Sequence, residues 1–129
     1  MPSRARDWFA QAERDLAHAD HSVEAGDYEW ACFAAHQSAE KALKAVYQQL
    51  GGDARGHDLR GLLEGLAERL RIPPALLDRV TELGKHYIGP RYPNAHAAGP
   101  PFRHYTLGEA RIAIENAQEV IRFCASHLA

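Results

Sequence analysis

An arginine and a histidine, Arg91 and His96, lie five positions apart in a stretch whose composition excludes a regular helix. The stretch, residues 89–105, reads GPRYPNAHAAGPPFRHY and holds four prolines and two glycines. Histidine can transfer a proton near neutral pH, and arginine can hold a phosphate through two parallel hydrogen bonds. The two residue types could therefore support proton transfer at a bound phosphate, with Arg91 holding the charge on phosphorus and His96 carrying a proton.

The same arginine-to-histidine spacing occurs elsewhere in the chain, so the spacing alone does not identify a site. The other pairs are Arg14 with His21, Arg79 with His86, and Arg122 with His127. All of them lie in or at the end of predicted helices, where ordinary surface placement explains them. Arg91 and His96 differ because prolines fix their loop. An alternative stays open, in which Arg91 bonds helix-end carbonyls or pairs with Glu40 and His96 is merely exposed.

A polar face on the predicted second helix could line a pocket beside Arg91. Gln37, Glu40 and Lys44 are spaced i, i+3 and i+7, so they share one side of that helix. We predict that they contact a nucleotide or RNA together with Tyr92, whose ring could stack on a base. The alternative is a salt-bridged stripe on the helix surface, with Tyr92 tucked onto the bundle.

Five segments with apolar residues every three or four positions must position these side chains, and no segment alternates with period two. Gly26 ends the first segment, Pro73-Pro74 opens the fourth, and Thr106 with Glu109 forms a capping box at the last. The predicted helices run from Ser3 to Gly26, from Asp27 to Leu50, from His57-Asp58 to Leu70, from Pro73 to Tyr87, and onward from Thr106. The sequence predicts an all-α, up-and-down bundle of four or five helices in one domain spanning residues 1–129.

Composition narrows the class of protein further. A formal net charge of −2 argues against a protein that coats nucleic acid by bulk electrostatics. It is still compatible with a local basic cleft. No apolar run approaches the roughly 20 residues of a membrane span, and the N-terminus lacks the apolar centre of a signal peptide, so we expect a cytoplasmic protein without a membrane partner. Cys32 and Cys124 are expected to be buried thiols. His18 and His21 share a helix face without acidic or cysteine partners, so we predict no metal and no cofactor.

Three stretches, read together, make the chain resemble the HEPN family of small helical domains. The run ACFAAHQSAEKALKAVYQQLGG is similar to the family pattern A-x-x-x-x-Q-x-x-E-x-x-L-K, which falls on Gln37, Glu40, Leu43 and Lys44. The element GHDL opens the third helix, and YIGPRYPNAHAAGPPFRHYT precedes the last helix with the family's arginine at Arg91. The resemblance spans nearly the whole chain in order and implies the HEPN helical bundle.

The resemblance also implies RNA or nucleotides as ligands. Many HEPN proteins are metal-independent endoribonucleases whose motif is an arginine, four to six further residues and a histidine, which Arg91 and His96 match. In that family the motifs of two subunits commonly face each other, which implies a homodimer. Small HEPN chains often accompany a separate minimal nucleotidyltransferase as a toxin–antitoxin pair, which implies such a partner here.

Two positions depart from the catalytic members of the family. Tyr92 follows the arginine where those members often have Asn, Asp or His, and Ala98 lies where transferase-paired members commonly have tyrosine. In a large branch of the family the arginine-tyrosine-proline motif is not regularly followed by a histidine. A second hypothesis is therefore a non-catalytic adaptor that presents a nucleotide or protein to a nucleotidyltransferase, and a third is a purely structural dimer.

Overall fold

The computed structural model describes residues 3–129, and within that range it contains α-helices and short 3₁₀ turns but no strand. The helices are α1 (Ala5–Ala25), α2 (Tyr28–Gln49), α3 (Leu59–Leu66), α4 (Pro74–Gly84) and α5 (Leu107–Ala125). Two 3₁₀ turns, Pro93–Ala95 and Pro101–His104, lie between α4 and α5. This is the all-α helical bundle that the sequence predicts.

Helices α1 and α2 form an antiparallel hairpin around a very short turn. Gly26 adopts a left-handed conformation with φ of 81°, and the next amide, that of Asp27, donates to the Ser22 carbonyl at 2.8 Å. Asp27 occupies the position before α2 as predicted, but its side chain makes no capping hydrogen bond. The α1 residues that are buried are all small: Ala5, Ala12, Ala19 and Ser22. Close approach of the two helices follows from this.

Helix α2 is the centre of the bundle, because it packs against α1, α3, α4 and α5. The core is filled by aliphatic side chains from α2 itself and from α3, α4 and α5. The large, fully buried ones are Leu43, Val46, Leu59, Leu63, Leu66, Val80, Leu83 and Val120. Four polar side chains of α2 are buried as well: Ser38 donates to the Ala12 carbonyl on α1 at 2.8 Å, and His36, Glu40 and Lys44 follow one another at four-residue intervals on another side of the helix. Burial of such groups is unfavourable unless they find partners, so they direct attention to one side of the helix.

The helix boundaries agree with the sequence at the starts more closely than at the ends. Pro74 is the first residue of α4, and the Thr106 hydroxyl accepts a hydrogen bond from the Glu109 amide at 3.1 Å before α5. The prediction that α4 extends to Tyr87 is wrong, because the helix ends at Gly84 and the chain continues in turns. Likewise α3 ends at Leu66, before the predicted Leu70. Both shortened ends lead into segments that contain prolines.

Cys32 and Cys124 are free and buried, as expected from their apolar neighbours. Burial, helped by the nearby charges of Glu109 and Glu29, raises the pKa of Cys32 to about 12, so its thiol stays protonated. Within residues 3–129 we find no helix with both the length and the apolar content needed to cross a membrane.

Candidate functional site

Arg91 follows α4 on a tight turn and lies against aromatic rings. Its Nε donates to the carbonyl of Tyr87 at 2.8 Å. Its guanidinium carbon lies 4.4 Å from the ring centroid of Phe33, 4.6 Å from that of Tyr87 and 5.1 Å from that of Tyr92. The structure thus shows a bond from Arg91 to a backbone carbonyl, although the carbonyl belongs to the turn after α4 and not to the helix end considered from the sequence. It adds an aromatic enclosure that the sequence did not predict.

Within residues 3–129 no acidic side chain neutralises Arg91. Its guanidinium forms no ion pair in that range, and Glu40, the partner considered from the sequence, pairs with other residues. Aromatic faces attract a guanidinium but leave its outer N–H groups available, and such a contact is worth about 0.5–2 kcal/mol. A half-buried cation fixed in this way is suited to receive an anion.

Tyr87 is the residue that joins the parts of the site. Besides Arg91, its ring contacts Phe33 at 6.3 Å, His36 at 5.2 Å and His57 at 4.4 Å between centroids. The His57 and Tyr87 rings are inclined by only 18°, so they are stacked. Tyr87 therefore brings together side chains from α2, from the loop before α3 and from the turn after α4.

Glu40 is buried in the bundle, where it forms an ion pair with Lys44 and a hydrogen bond with His57. Its side chain is only 5 % exposed, and its two carboxylate oxygens bind different partners. One accepts from Lys44 Nζ at 3.2 Å, and the other lies 2.8 Å from His57 Nδ1. Lys44 Nζ also lies 5.8 Å from the centroid of the Trp8 ring. Because both oxygens are occupied, the buried carboxylate is compensated in charge and in hydrogen bonding.

Gln37 is linked to the same cluster through His36. Its amide nitrogen lies 3.2 Å from His36 Nδ1, and His36 is in contact with Tyr87. Burial lowers the pKa of His36 to about 4, an effect that the nearby charge of Glu40 only partly offsets. His36 is therefore neutral at neutral pH, and this neutral ring accepts the Gln37 amide.

His96 has partners of its own. Its Nε2 donates to the Gly89 carbonyl at 2.8 Å, which leaves Nδ1 as the basic nitrogen of the neutral ring. The ring is stacked on that of His104, with centroids 4.2 Å apart and planes inclined by 3°. Tyr105 meets its edge at 6.0 Å. Burial raises the pKa of Tyr105 to about 12, so this neighbour keeps its hydroxyl proton.

The structure thus brings five of the six predicted site residues into one set of contacts and leaves the sixth beside it. Arg91, Tyr92, Glu40, Lys44 and Gln37 are connected through Tyr87, His57 and His36. Within the described part of the chain, His96 has no hydrogen bond or ring contact with Arg91. Tyr92 is 47 % exposed, so one edge of the set is open to solvent.

Comparison with models of known protein families identifies the family of this chain. The family model described as "HEPN domain" matches residues 5–127. The chain belongs to the HEPN domain family. One curated relative is a Methanocaldococcus jannaschii protein named as a putative toxin. It is 25 % identical over 126 residues, and the match covers 91 % of this chain and 83 % of that protein.

Solved structures show the same fold at higher identity. A protein from Thermus thermophilus is 46 % identical with a TM-score of 0.96, covering 98 % of this chain and 100 % of that one. An archaeal HEPN homologue is 37 % identical with a TM-score of 0.80, covering 98 % of both chains. A HEPN domain protein from Thermotoga maritima is 38 % identical with a TM-score of 0.77, covering 93 % of this chain and 95 % of that one.

Four residues of this HEPN site are not among the site residues predicted from the sequence: Phe33, Tyr87, His57 and His36. The sequence assigns Phe33 and Tyr87 to packing because they fit the helical repeat of apolar residues. The available signal for Tyr87 is its distance of four positions from Arg91, the spacing at which the Arg91 side chain reaches back to its carbonyl. His57 is recognisable only as part of the element that opens α3, since its contact with Glu40 spans 17 positions.

Proposed function

We propose that this HEPN protein binds RNA through the phosphate backbone at Arg91 and cleaves it as a metal-independent endoribonuclease. One observation carries the proposal: Arg91 is held between aromatic rings and a backbone carbonyl without any carboxylate partner in residues 3–129. Arginine binds phosphate through paired N–H groups, and aromatic side chains such as Tyr92 accept bases by stacking.

The chemistry follows from these groups. The 2′-oxygen attacks the adjacent phosphorus, a 2′-O–P bond forms, and the P–O5′ bond breaks. The products are a 2′,3′-cyclic phosphate and a free 5′-hydroxyl, so one proton leaves the 2′-hydroxyl and one arrives at O5′. His96, with Nδ1 as its basic nitrogen, transfers one of them, and Arg91 stabilises the charge on the phosphoryl oxygens.

Three further expectations belong to this proposal. We expect a homodimer, because the family's motifs commonly face each other across a subunit interface. A minimal nucleotidyltransferase is the proposed partner, and the role of a toxin is supported by the Methanocaldococcus jannaschii relative that is named as a putative toxin. The cytoplasm stays the expected location.

The test is a cleavage assay of purified protein with an RNA oligonucleotide in excess chelator. Arg91→Lys should keep the positive charge but lose the paired geometry, and it should lower cleavage by about 10²-fold or more. His96→Ala should reduce cleavage without lowering the melting temperature. Arg122→Ala and His127→Ala are matched controls, because this pair has the same spacing but lies at the end of α5. Intact RNA with the wild-type protein at every pH between 5 and 9 contradicts the proposed activity.

A non-catalytic binding module is the second candidate. The observation that favours it is the exposed aromatic surface beside Arg91, where Trp30 (46 % exposed) packs edge-on against Phe33 at 6.2 Å and Tyr92 is similarly open. Such a surface can bind a nucleotide or a protein without any proton transfer. Binding of RNA or of the nucleotidyltransferase that is weakened by Tyr92→Ala, with no cleavage by the wild type, would support the adaptor instead.

A further inference from the structure

The pair formed by Glu40 and His57 has an arrangement suited to proton transfer. A carbonyl or carboxylate oxygen can only accept a hydrogen bond, so the 2.8 Å contact places the proton of a neutral His57 on Nδ1. The other ring nitrogen, Nε2, then carries the lone pair. A carboxylate in this position fixes the tautomer and orientation of an imidazole and stabilises the imidazolium that forms when the ring accepts a proton.

The exposures of the two side chains fit these different roles. Glu40 is 5 % exposed and cannot itself reach a large substrate, whereas the His57 side chain is 49 % exposed. The buried carboxylate is also bound by Lys44, which stops it from being left as an isolated charge. The imidazole is thus anchored from inside the protein and open on its outer side.

His57 and Arg91, the proposed phosphate-binding group, contact the same aromatic ring. Its ring centroid is 4.4 Å from that of Tyr87, and the guanidinium carbon of Arg91 is 4.6 Å from the same centroid. Tyr87 therefore links the His57 imidazole to the proposed phosphate-binding group. The other titratable or charged groups around His57 are Glu40, Lys44 and His36 on α2, Tyr87 and Arg91 after α4, and its own neighbour Asp58.

We infer that His57, positioned by Glu40, is a second proton-transfer residue of this site and acts as the base in RNA cleavage. The inference rests on the proposed function. His57 Nε2 takes the proton from the 2′-hydroxyl, the 2′-oxygen attacks phosphorus, and the leaving O5′ takes a proton from His96 protonated at Nδ1.

The experiment compares His57→Gln with wild type in two assays. Single-turnover cleavage of an RNA oligonucleotide in chelator should fall by about 10²–10⁴-fold. The dissociation constant for the same oligonucleotide with 2′-deoxyribose, which lacks the attacking hydroxyl, should change less than threefold. His18→Gln, an exposed histidine on α1, is the control for both assays.

Glu40 is tested as a positioning residue by its effect on the His57 tautomer. In ¹⁵N NMR spectra the wild-type His57 ring should carry its proton on Nδ1, and Glu40→Gln should shift the population toward Nε2–H and lower the cleavage rate. Because Glu40→Gln leaves Lys44 buried without its counter-charge, the double variant Glu40→Gln/Lys44→Met is measured as well and should show the same tautomer change.

The outcomes separate this inference from the proposed function. If wild type and His57→Gln cleave equally while Arg91→Lys is impaired, the endoribonuclease proposal stands and the role of His57 is overturned. If His57 is an Nε2–H tautomer in the wild type, the positioning by Glu40 is overturned. If the wild type leaves RNA intact, the proposed function fails, and the base role of His57 fails with it.

Discussion

The guanidinium carbon of Arg91 lies 4.4 Å from the ring centroid of Phe33, although Phe33 belongs to α2 and Arg91 to the turn after α4. Each is thereby fixed by the other. Phe33 is one face of the enclosure around the cation, and the cation covers an aromatic surface that would otherwise meet water. This contact is the direct link between the central helix and the loop that carries the motif.

Replacing Phe33 with leucine keeps an apolar side chain but removes the aromatic face. We expect RNA binding to weaken by about 0.5–2 kcal/mol, or about 2- to 30-fold in Kd, because Arg91 is less well oriented. Fluorescence anisotropy with a 2′-deoxy oligonucleotide measures this. Phe123→Leu on α5 is the control, and equal affinities for the two variants would refute the orienting role of Phe33.

Removing the buried carboxylate should be costly to stability. Glu40→Ala leaves Lys44 buried without a counter-charge and His57 without its acceptor, and breaking a buried pair from one side costs about 3–5 kcal/mol. Asp7→Ala, which breaks the exposed pair with Arg4, should cost at most about 1 kcal/mol. Urea unfolding gives both values. A Glu40→Ala loss as small as that of Asp7→Ala would show that the buried pair adds no stability.

A side chain at Gly89 requires the Tyr105 side chain to move. A Cβ there would collide with the hydroxyl of Tyr105, and the Gly89 carbonyl is the acceptor for His96. Gly89→Ala should therefore destabilise the protein by about 1–3 kcal/mol and displace His96. Gly84→Ala is the matched control, since a Cβ at the end of α4 meets nothing within 4 Å. Thermal unfolding and the NMR shifts of His96 report the two effects, and identical behaviour of the two variants would contradict the steric argument.

Stability should depend on pH through His36. Its folded-state pKa is lowered to about 4, mainly by burial, while the unfolded chain titrates near the ordinary value of 6.5. Between these values the unfolded state binds more protons, so the free energy of unfolding should fall as pH drops from about 6.5 to about 4, by on the order of 2–3 kcal/mol from this group. Burial also lowers the pKa of His86, which adds a slope of the same sign.

The contribution of His36 is isolated by comparing pH slopes and not absolute stabilities. Urea unfolding of wild type and His36→Gln between pH 4 and 7 should show a flatter profile for the variant. A parallel pair of profiles would mean that His36 does not titrate differently on unfolding.

The scaffold is predictable from the sequence because the signals for it are local. The Thr106 cap, the proline that opens α4 and the three-to-four repeat in α2 each depend on residues within one or two turns. The predicted end of α4 is misplaced because Tyr87 continues the apolar repeat although the chain has already left the helix. Local patterns do not distinguish a core position from a position that contacts a functional cation.

The candidate site is predictable only in its list of residue types. Arg91, Glu40 and Lys44 are selected by motif and by helical face, but the contact through Tyr87 and His57 joins segments far apart in the chain. The spacing of residues in the sequence does not predict which carboxylate binds which imidazole. The geometry arises from tertiary packing, and so the separate partners of Arg91 and His96 become visible only in the structure.

The small residues along α1 have a consequence for the order of folding. Ala5, Ala12 and Ala19 recur every seven positions along the buried side of α1, and α1 packs mainly against the helix that follows directly in the chain. Contacts so near in sequence close quickly, whereas Arg91 is contributed much later along the polypeptide. Ala12→Gly should therefore slow folding, whereas Tyr87→Leu should mainly accelerate unfolding. The α1–α2 hairpin would then form first, without a complete site. The surface around Arg91 would be completed only in the last stage of folding.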